Sequence, residues 1–316
     1  HGHRDTQATY ERLLHNYLNA EEYHDPILWL YTPMAADFAK AIPHKRLIYD
    51  VMDELSAFKG APAALKAQER QMLQQADVVF TGGVSLYRAK LGYNANTHLF
   101  SSGVETAHFL RAAQETFAPP PDLPATAAPV LGYFGVIDER MDLPLLTHLA
   151  AAHPEWTILM LGPVLKIDPV DLPQAPNLHF LGMKQYHELP AYLAHFDVAL
   201  VPFAMNEATR HLSPTKTLEY MAAHKPVVST PIPDIVELYG DYVRIAGTPQ
   251  EFVAQVEAAL TETADQRTVR LAQEESLLER YSWDSIAAQM HEIIEESFTV
   301  QNNSSPLSSR RSILAA

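Results

Sequence analysis

The sequence predicts an α/β protein of two domains, each built on a doubly wound parallel sheet. Short apolar runs of strand length alternate with helical segments along almost the whole chain, which is typical of a parallel sheet. The alternation stops once, in the Pro- and Ala-rich residues 112–129, and then starts again. With 316 residues, of which 47% are hydrophobic, the chain is long enough to fill two cores.

The first domain is predicted to span residues 1–111. Strands are expected at 27–31, 46–51, 77–81 and 97–100, and helices at 10–20, 34–41, 61–75 and from residue 85. The chain opens without Met, on HGHRDT, and enters a helical segment at once. We therefore expect this domain to be truncated, with its first strands missing.

Residues 112–129 are predicted to be a linker because their sequence, AAQETFAPPPDLPATAAP, lacks apolar periodicity. The second domain is predicted at 130–281. Its strands are expected at 130–134, 157–161, 178–181, 197–202, 226–229 and 242–245, followed by helices at 249–261 and 268–280. A last helix is predicted at 282–298, and the Ser- and Asn-rich residues 299–316 are expected to be disordered or a linker to a fused domain.

Six parallel strands of this kind form a sheet whose ligand lies at the carboxyl ends of the strands. Gly135, Gly162 and Gly182 each follow such an end. The loop 202–213 does so as well. We therefore expect the ligand site of the second domain among these segments.

Composition and missing motifs exclude several classes of protein. The 38 acidic and 23 basic residues give a net charge of −15, which argues against nucleic acid as a partner. There are no cysteines, and no apolar run approaches the roughly 18 residues that a bilayer-spanning helix needs. The sequence contains no G-x-G-x-x-G, Walker A, G-x-S-x-G, H-E-x-x-H or D-x-D pattern. We accordingly assign no metal site and no bound cofactor.

The segment HLSPTKTLEYMAAHKPVVST, residues 211–230, carries the strongest functional signal. Ser213 suits the N-cap of a helix and Pro214 its first position. Lys216 then falls in the first turn, where the helix dipole disfavours a cation by about 0.3–1 kcal/mol. A bound phosphate would remove this conflict, and Glu219 one turn later could accept hydrogen bonds from hydroxyls. Alternatively, Glu219 is a surface partner of Lys216 at i, i+3.

The chain resembles the retaining nucleotide-sugar glycosyltransferases of the GT-B type, with two Rossmann-like domains, over residues 27–298. Besides SPTKTLEYMAAHKPVVST, the resemblance rests on LGYFGVIDERMDLPLL (131–146), SSGVETAHF (101–109) and YSWDSIAAQM (281–290). The first of these is similar to the family's glycine-containing strand and following basic residue. The last is similar to the helix that crosses back to the first domain in this fold.

The resemblance implies roles for single residues. Glu219 is implied to bind the ribose of the nucleotide, and Arg140 the donor diphosphate. Many members carry another glutamate eight positions earlier, beside the donor sugar, and this chain has His211 there. A subset with a P-x-K-x-x-E-Y pattern, which residues 214–220 match, manages without it. The predicted donor site consists of Gly135, Arg140, Pro214, Thr215, Lys216 and Glu219.

Catalytic candidates are His211 and Asp53. Asp50 and Asp53 come at the end of a strand, where a loop would face the cleft between the domains, although either could be an N-cap instead. Arg140 could also be an ordinary surface residue of its turn, and His211 an ordinary loop residue.

The function predicted is hexosyl transfer, without metal and with retention, from a nucleoside-diphosphate sugar to a hydroxyl of a glycan or lipid-linked acceptor. It would belong to polysaccharide biosynthesis in the cytoplasm, at or near the inner membrane. Two alternatives stay open: a sugar-nucleotide epimerase or phosphorylase of the same fold, and a non-catalytic nucleotide-binding or scaffolding module.

Overall fold

The computed structural model describes residues 2–58 and 60–300, and it has the predicted α/β architecture with two parallel sheets. Its helices are α1 (Gly2–Ala20), α2 (Ala36–Ala41), α3 (Leu65–Gln75), α4 (Val84–Lys90), α5 (Thr106–Gln114), α6 (Leu143–Ala152), α7 (Leu189–Ala194), α8 (Lys216–Ala222), α9 (Pro233–Tyr239), α10 (Pro249–Leu260), α11 (Ala264–Arg280) and α12 (Trp283–Val300). Its strands are β1 (Ile27–Leu30), β2 (Arg46–Val51), β3 (Val78–Thr81), β4 (Thr97–Leu99), β5 (Val130–Phe134), β6 (Thr157–Leu161), β7 (Leu178–Gly182), β8 (Val198–Val201), β9 (Val227–Ser229) and β10 (Arg244–Ile245).

Local capping explains where several helices begin. Thr248 and Glu251 form a capping box at the start of α10, with Pro249 in its first turn. The start of α11 repeats this arrangement with Thr263 and Gln266. Such pairs satisfy backbone N–H groups that a helix start leaves without partners, so the helix begins at a defined residue.

The second sheet has the strand order β10-β9-β8-β5-β6-β7, and all its pairs are parallel. The order reverses between β5 and β8, and a crevice opens at such a switch point outside the carboxyl ends of the strands. Gly135 follows β5 at this edge, and the loop 202–215 follows β8 and leads into α8. The topology therefore brings these two segments to the same crevice.

Close backbone contacts require glycine at this edge. Gly135 and Gly162 have φ values of +135° and +144°, and the Gly135 N–H donates to Leu161 O at 2.8 Å. A Cβ on Gly162 would lie 1.9 Å from Gly135 O, so no side chain can be placed there without moving the backbone. Gly135 and Gly162 themselves therefore place no side chain over the ends of β5 and β6.

The first sheet runs in the order β1-β2-β3-β4, and its two faces are covered by different parts of the chain. Leu47, Tyr49 and Val51 pack on one face in the cluster that contains residues of α2, α3 and α4. On the other face, Ile48 and its neighbours in β3 pack against Ile294 of α12. The last helix therefore completes the core of the first domain.

The start of α12 lies beside the other connection between the domains. Val104 N–H donates to Tyr281 O at 2.9 Å, and Val104 forms a parallel bridge with Ser282. The helix ends at Val300, so Thr299 and Val300 are helical and not part of a disordered tail. The rest of the predicted tail, residues 301–316, lies outside the described residues.

Helix α5 corrects the predicted boundary of the first domain at residue 111. Phe109 and Ala112 of α5, together with Val104, are buried in the core of the second domain. The predicted linker therefore starts inside α5, whose apolar face belongs to the second core, and the boundary between the cores lies before Val104. The sequence analysis missed this because α5 precedes the Pro-rich segment that marks the change in composition.

Limited proteolysis is expected to cut first at residues 115–118. Most of this stretch is exposed and follows the end of α5, whereas Asp122 further along is tied to Tyr192 by a 2.6 Å hydrogen bond. Proteinase K digestion followed by mass spectrometry should give one early cut there and a stable C-terminal fragment. A first cut inside the loop 202–215 would contradict this partition.

Candidate functional site

Helix α8 begins at Lys216, two residues later than the sequence analysis predicted. Ser213 does not cap it, and the residue before the helix, Thr215, already has helical dihedral angles but gives no side-chain cap. The first N–H that bonds back into this turn is that of Thr217, which donates to Pro214 O at 3.3 Å. Lys216 is thus the first residue of a helix start that no side chain caps.

The Lys216 side chain lies at the carboxyl edge of the second sheet, between two aromatic rings. Its Nζ is 5.1 Å from the centre of the Phe203 ring and 5.6 Å from that of Tyr133. A Cβ on Gly135 would lie 3.1 Å from Lys216 Cε, which places the lysine directly over the end of β5. Among the described residues, its ammonium has no carboxylate partner and no hydrogen bond.

The pKa of Lys216 is lowered to about 8: burial has the largest effect and Arg140 also lowers it, while Glu219 and Asp138 raise it. A cation held in such surroundings gains more from a bound anion than an exposed lysine does. The site therefore favours an anionic ligand.

Glu219 lies one turn along α8 and is half-buried. Burial raises its pKa to about 7, against the opposing effect of Lys216. In the described part of the chain, the two side chains form no ion pair within 4 Å, so they do not act as the surface i, i+3 pair considered as an alternative. Its carboxylate is left free to accept hydrogen bonds.

Helix α8 is fixed to the sheet by Tyr220. The Phe134 N–H, at the end of β5, donates to the Tyr220 hydroxyl at 2.9 Å, and the two rings are 4.8 Å apart. The Tyr220 side chain is fully buried. This anchor holds the first turn of α8 over the crevice.

Arg140 is in the crevice region but has a partner of its own. Its guanidinium donates to both carboxylate oxygens of Asp138, with Nη2–Oδ2 at 2.8 Å and Nε–Oδ1 at 2.9 Å. Asp138 is 2% exposed, so this pair is a buried one. Arg140 is therefore a fixed positive group near Lys216 rather than a free surface side chain.

The loop after β2 carries two acidic residues with different neighbours. Burial raises the pKa of Asp53, and the nearby cations Arg140 and Lys166 lower it. Glu54 is bonded instead to Lys90, at 2.6 Å. Asp50 is not in the cleft at all, because it is 5% exposed and accepts a 3.1 Å hydrogen bond from Trp29 Nε1. The predicted position of Asp50 in a loop that faces the cleft is corrected, because this residue is still inside β2.

His211 lies in the loop before α8 and lines an open cavity between the domains. Its Nδ1 is buried without a hydrogen-bond partner in the described residues. It lies close enough to Glu54 and Asp234 to influence the pKa of both carboxyls. The structure brings Lys216, Glu219, Gly135 and Arg140 together and sets His211 and Asp53 at the facing loops.

Residues 128–262 match the protein family described as glycosyl transferases group 1. This match covers most of the second domain, which is less than half of the chain. The predicted resemblance to glycosyltransferases of the GT-B type is confirmed, and the matched segment contains β5 to β10 together with Lys216 and Glu219.

One curated relative is the Bacillus subtilis (strain 168) protein TuaH, named for teichuronic acid biosynthesis as a glycosyltransferase. It is 28% identical over 215 residues, which cover 64% of this chain and 53% of TuaH, so the chain spans about half the length of this relative. Sucrose-phosphate synthase from Thermosynechococcus elongatus has a TM-score of 0.71 at 17% identity, covering 94% of this chain and 79% of that one. Anabaena HepE in complex with UDP has a TM-score of 0.70 at 17% identity, covering 90% and 82%. These two structures establish the fold.

Several residues around the candidate site were missed by the sequence analysis. Tyr133 and Phe203 form the aromatic surroundings of Lys216 but lie on different strands, so no local pattern joins them. Phe58 of the first domain lies over Lys166, 4.5 Å from Nζ to the ring centre. Asp138 could have been found, because an Asp two residues before an Arg in a turn is well placed for a local ion pair.

Residues 2–58 and 60–300 contain neither a group of metal ligands nor a membrane-spanning helix. In this part of the chain, no three His, Asp or Glu side chains are grouped as metal ligands would be. None of the helices described there combines the length and the apolar composition that crossing a bilayer requires.

Proposed function

We propose that this protein transfers a hexosyl group from a nucleoside-diphosphate sugar to a hydroxyl acceptor, without metal and with retention of configuration. The observation that carries the proposal is the Lys216 ammonium, which lies without an anionic partner at the crevice where the strand order reverses. HepE, which shares this fold, was crystallised with UDP. Retention is inferred from the family resemblance.

In this reading, Lys216 binds the diphosphate and stabilises the charge that develops on it as the bond to the sugar breaks. Arg140, whose guanidinium is held by Asp138, adds a fixed positive charge near the diphosphate. This role does not require a direct hydrogen bond between Arg140 and the diphosphate. Glu219 accepts hydrogen bonds from the ribose hydroxyls, because it is a half-buried carboxylate with no protein donor. The acceptor, a glycan or a lipid-linked sugar, approaches from the side of the first domain.

Calorimetry is expected to detect binding of at least one of UDP, GDP and ADP in the presence of excess EDTA. The physical reason is that protein cations, rather than a metal ion, neutralise the diphosphate in this proposal. Each nucleotide is titrated once with EDTA and once with added Mg²⁺. The comparison separates neutralisation of the diphosphate by protein cations from neutralisation by a metal ion. Absence of binding for all three would count against the site, and binding only with Mg²⁺ would count against metal independence.

A non-catalytic nucleotide-binding module is the second candidate. It is favoured by His211, which occupies the position of a glutamate that many relatives carry. Both candidates bind a nucleotide, so binding alone does not separate them. Release of nucleoside diphosphate from a sugar nucleotide, in the presence of candidate acceptors, distinguishes the enzyme from the module.

A further inference from the structure

A cavity lies between the domains, and the loop that follows β2 forms part of its wall. Its volume is about 530 Å³ and it is open to solvent. Residues of both domains form its wall: Glu54, Ser56, Ala57, Lys66, Glu69 and Arg70, with α4, Tyr93, Glu207 and His211. His211 lines this cavity and belongs to the loop that leads into α8, so a molecule bound here would lie next to the proposed donor site.

The acidic groups of the first-domain wall share one buried lysine as their partner. Lys90, which is 4% exposed, donates to Glu54 at 2.6 Å and to Glu69 at 2.8 Å. Ser56 donates a further 2.6 Å hydrogen bond to Glu54. The three charged side chains carry one net negative charge, spread over two carboxylates whose oxygens are engaged. They line the cavity floor but offer little attraction to a cation.

The basic groups at the cavity mouth have no such partners. Lys66 and Arg70 lie four residues apart on α3, on the side that faces the cavity, and neither pairs with a carboxylate in the described residues. Arg70 contacts only the ring of Tyr93, with Cζ 5.8 Å from its centre. Across the cavity, Glu207 is paired with Arg210 at 3.0 Å. The unpaired charges of the cavity are therefore both positive, in a chain whose net charge is −15.

Two like charges at i, i+4 repel each other on a helix, and an anion placed between them removes that repulsion. Tyr93 is 45% exposed, so its ring also offers an apolar surface beside the cations. Together these features suit a ring-shaped molecule that carries one negative group.

We propose that this cavity binds the acceptor and selects an acceptor sugar bearing a carboxylate or a phosphate, which Lys66 and Arg70 bind. The proposal rests on the proposed function, because it assumes that the donor occupies the crevice beside Lys216. It adds the chemical class of the acceptor.

The test compares three probes that share one sugar ring: methyl glucoside, methyl glucuronide and methyl glucoside 6-phosphate. Ligand-observed NMR titrations give their dissociation constants for the UDP-saturated protein and for the Arg70→Gln variant. Lys45→Gln is the matched control, because it removes one charge from an exposed lysine at the opposite end of β2. UDP binding is measured separately, so loss of the donor site is distinguished from failure of the acceptor proposal.

We expect at least one charged sugar to bind about tenfold more tightly than methyl glucoside, and Arg70→Gln to remove most of that difference. Lys45→Gln should leave all three constants unchanged within about twofold. The better of the two charged probes identifies carboxylate or phosphate as the preferred group. Equal binding of neutral and charged sugars, equal weakening of all probes by Arg70→Gln, or no binding of either charged sugar would overturn the proposal.

Discussion

Replacing Lys216 with alanine is expected to weaken nucleoside-diphosphate binding by about 1.5–3 kcal/mol, the contribution of a charged hydrogen bond. The fold should survive, because the ammonium makes no hydrogen bond or ion pair with any described residue. Removing a partly desolvated cation from a helix start should leave the melting temperature unchanged or slightly raised. Calorimetry with the nucleotide that the protein binds best, together with thermal unfolding, measures both effects.

The lowered pKa of Lys216 predicts how nucleoside-diphosphate binding depends on pH. Burial lowers the pKa of Lys216 to about 8 in the free protein, so the ammonium is charged below that pH and loses its proton as pH rises through it. A bound diphosphate favours the charged form, so its affinity should fall as pH rises above about 8. In the Lys216→Ala variant this fall should disappear.

Lys225 provides a matched control within the same domain. Its pKa is also lowered to about 8 by burial, but it lies just before β9, at the amino edge of the second sheet. Lys225→Ala should therefore change stability without changing nucleotide affinity or its dependence on pH. If Lys216→Ala lowers the melting temperature and leaves affinity unchanged, the lysine is structural and the donor site is not at this helix.

Replacing Glu219 with alanine is expected to weaken nucleotide binding by about 1.5–3 kcal/mol while leaving inorganic pyrophosphate binding nearly unchanged. The reason is that Glu219 is proposed to meet the ribose hydroxyls, which pyrophosphate lacks. Competition titrations with both ligands on the wild type and the variant give the comparison directly.

The pKa of Glu219, raised to about 7 by burial, gives this prediction a second readout. The carboxylate form, which accepts hydrogen bonds, is populated as pH rises through about 7, so the preference for nucleotide over pyrophosphate should increase over that range. Glu275→Ala, at an exposed position of α11, is the control. Equal loss of nucleotide and pyrophosphate affinity in Glu219→Ala would mean that the residue acts on the phosphate region instead.

Strand positions were predictable because parallel strands buried on both faces read as uninterrupted apolar runs. The predicted bounds of β2, β5 and β6 coincide with those in the structure. Lys216 could also be predicted as a candidate binding residue, because that prediction depends only on the spacing of a few residues at one helix start. The predicted start of α8 was two residues early, because Ser213 and Pro214 have the residue types of a helix start but not its geometry.

Features that join distant parts of the chain could not be predicted in this way. The aromatic rings beside Lys216 come from β5 and from the loop after β8, and only the strand order makes them neighbours. The assignment of α5 to the second core depends on which sheet its apolar face meets. Periodicity shows that a face is apolar but does not identify its partner. The Lys90 network likewise required α3, α4 and the loop after β2 to be brought together.

The packing of α12 on the first sheet has a consequence for how the protein is made. Arg46, at the start of β2, donates hydrogen bonds to Ser297, and the two residues are 251 positions apart. On the ribosome, β2 and β3 emerge long before the helix that covers Ile48, Val78 and Phe80. Domains usually fold as they emerge, amino-terminal first. One apolar face of the first sheet therefore stays without its covering helix until synthesis has passed through the whole second domain.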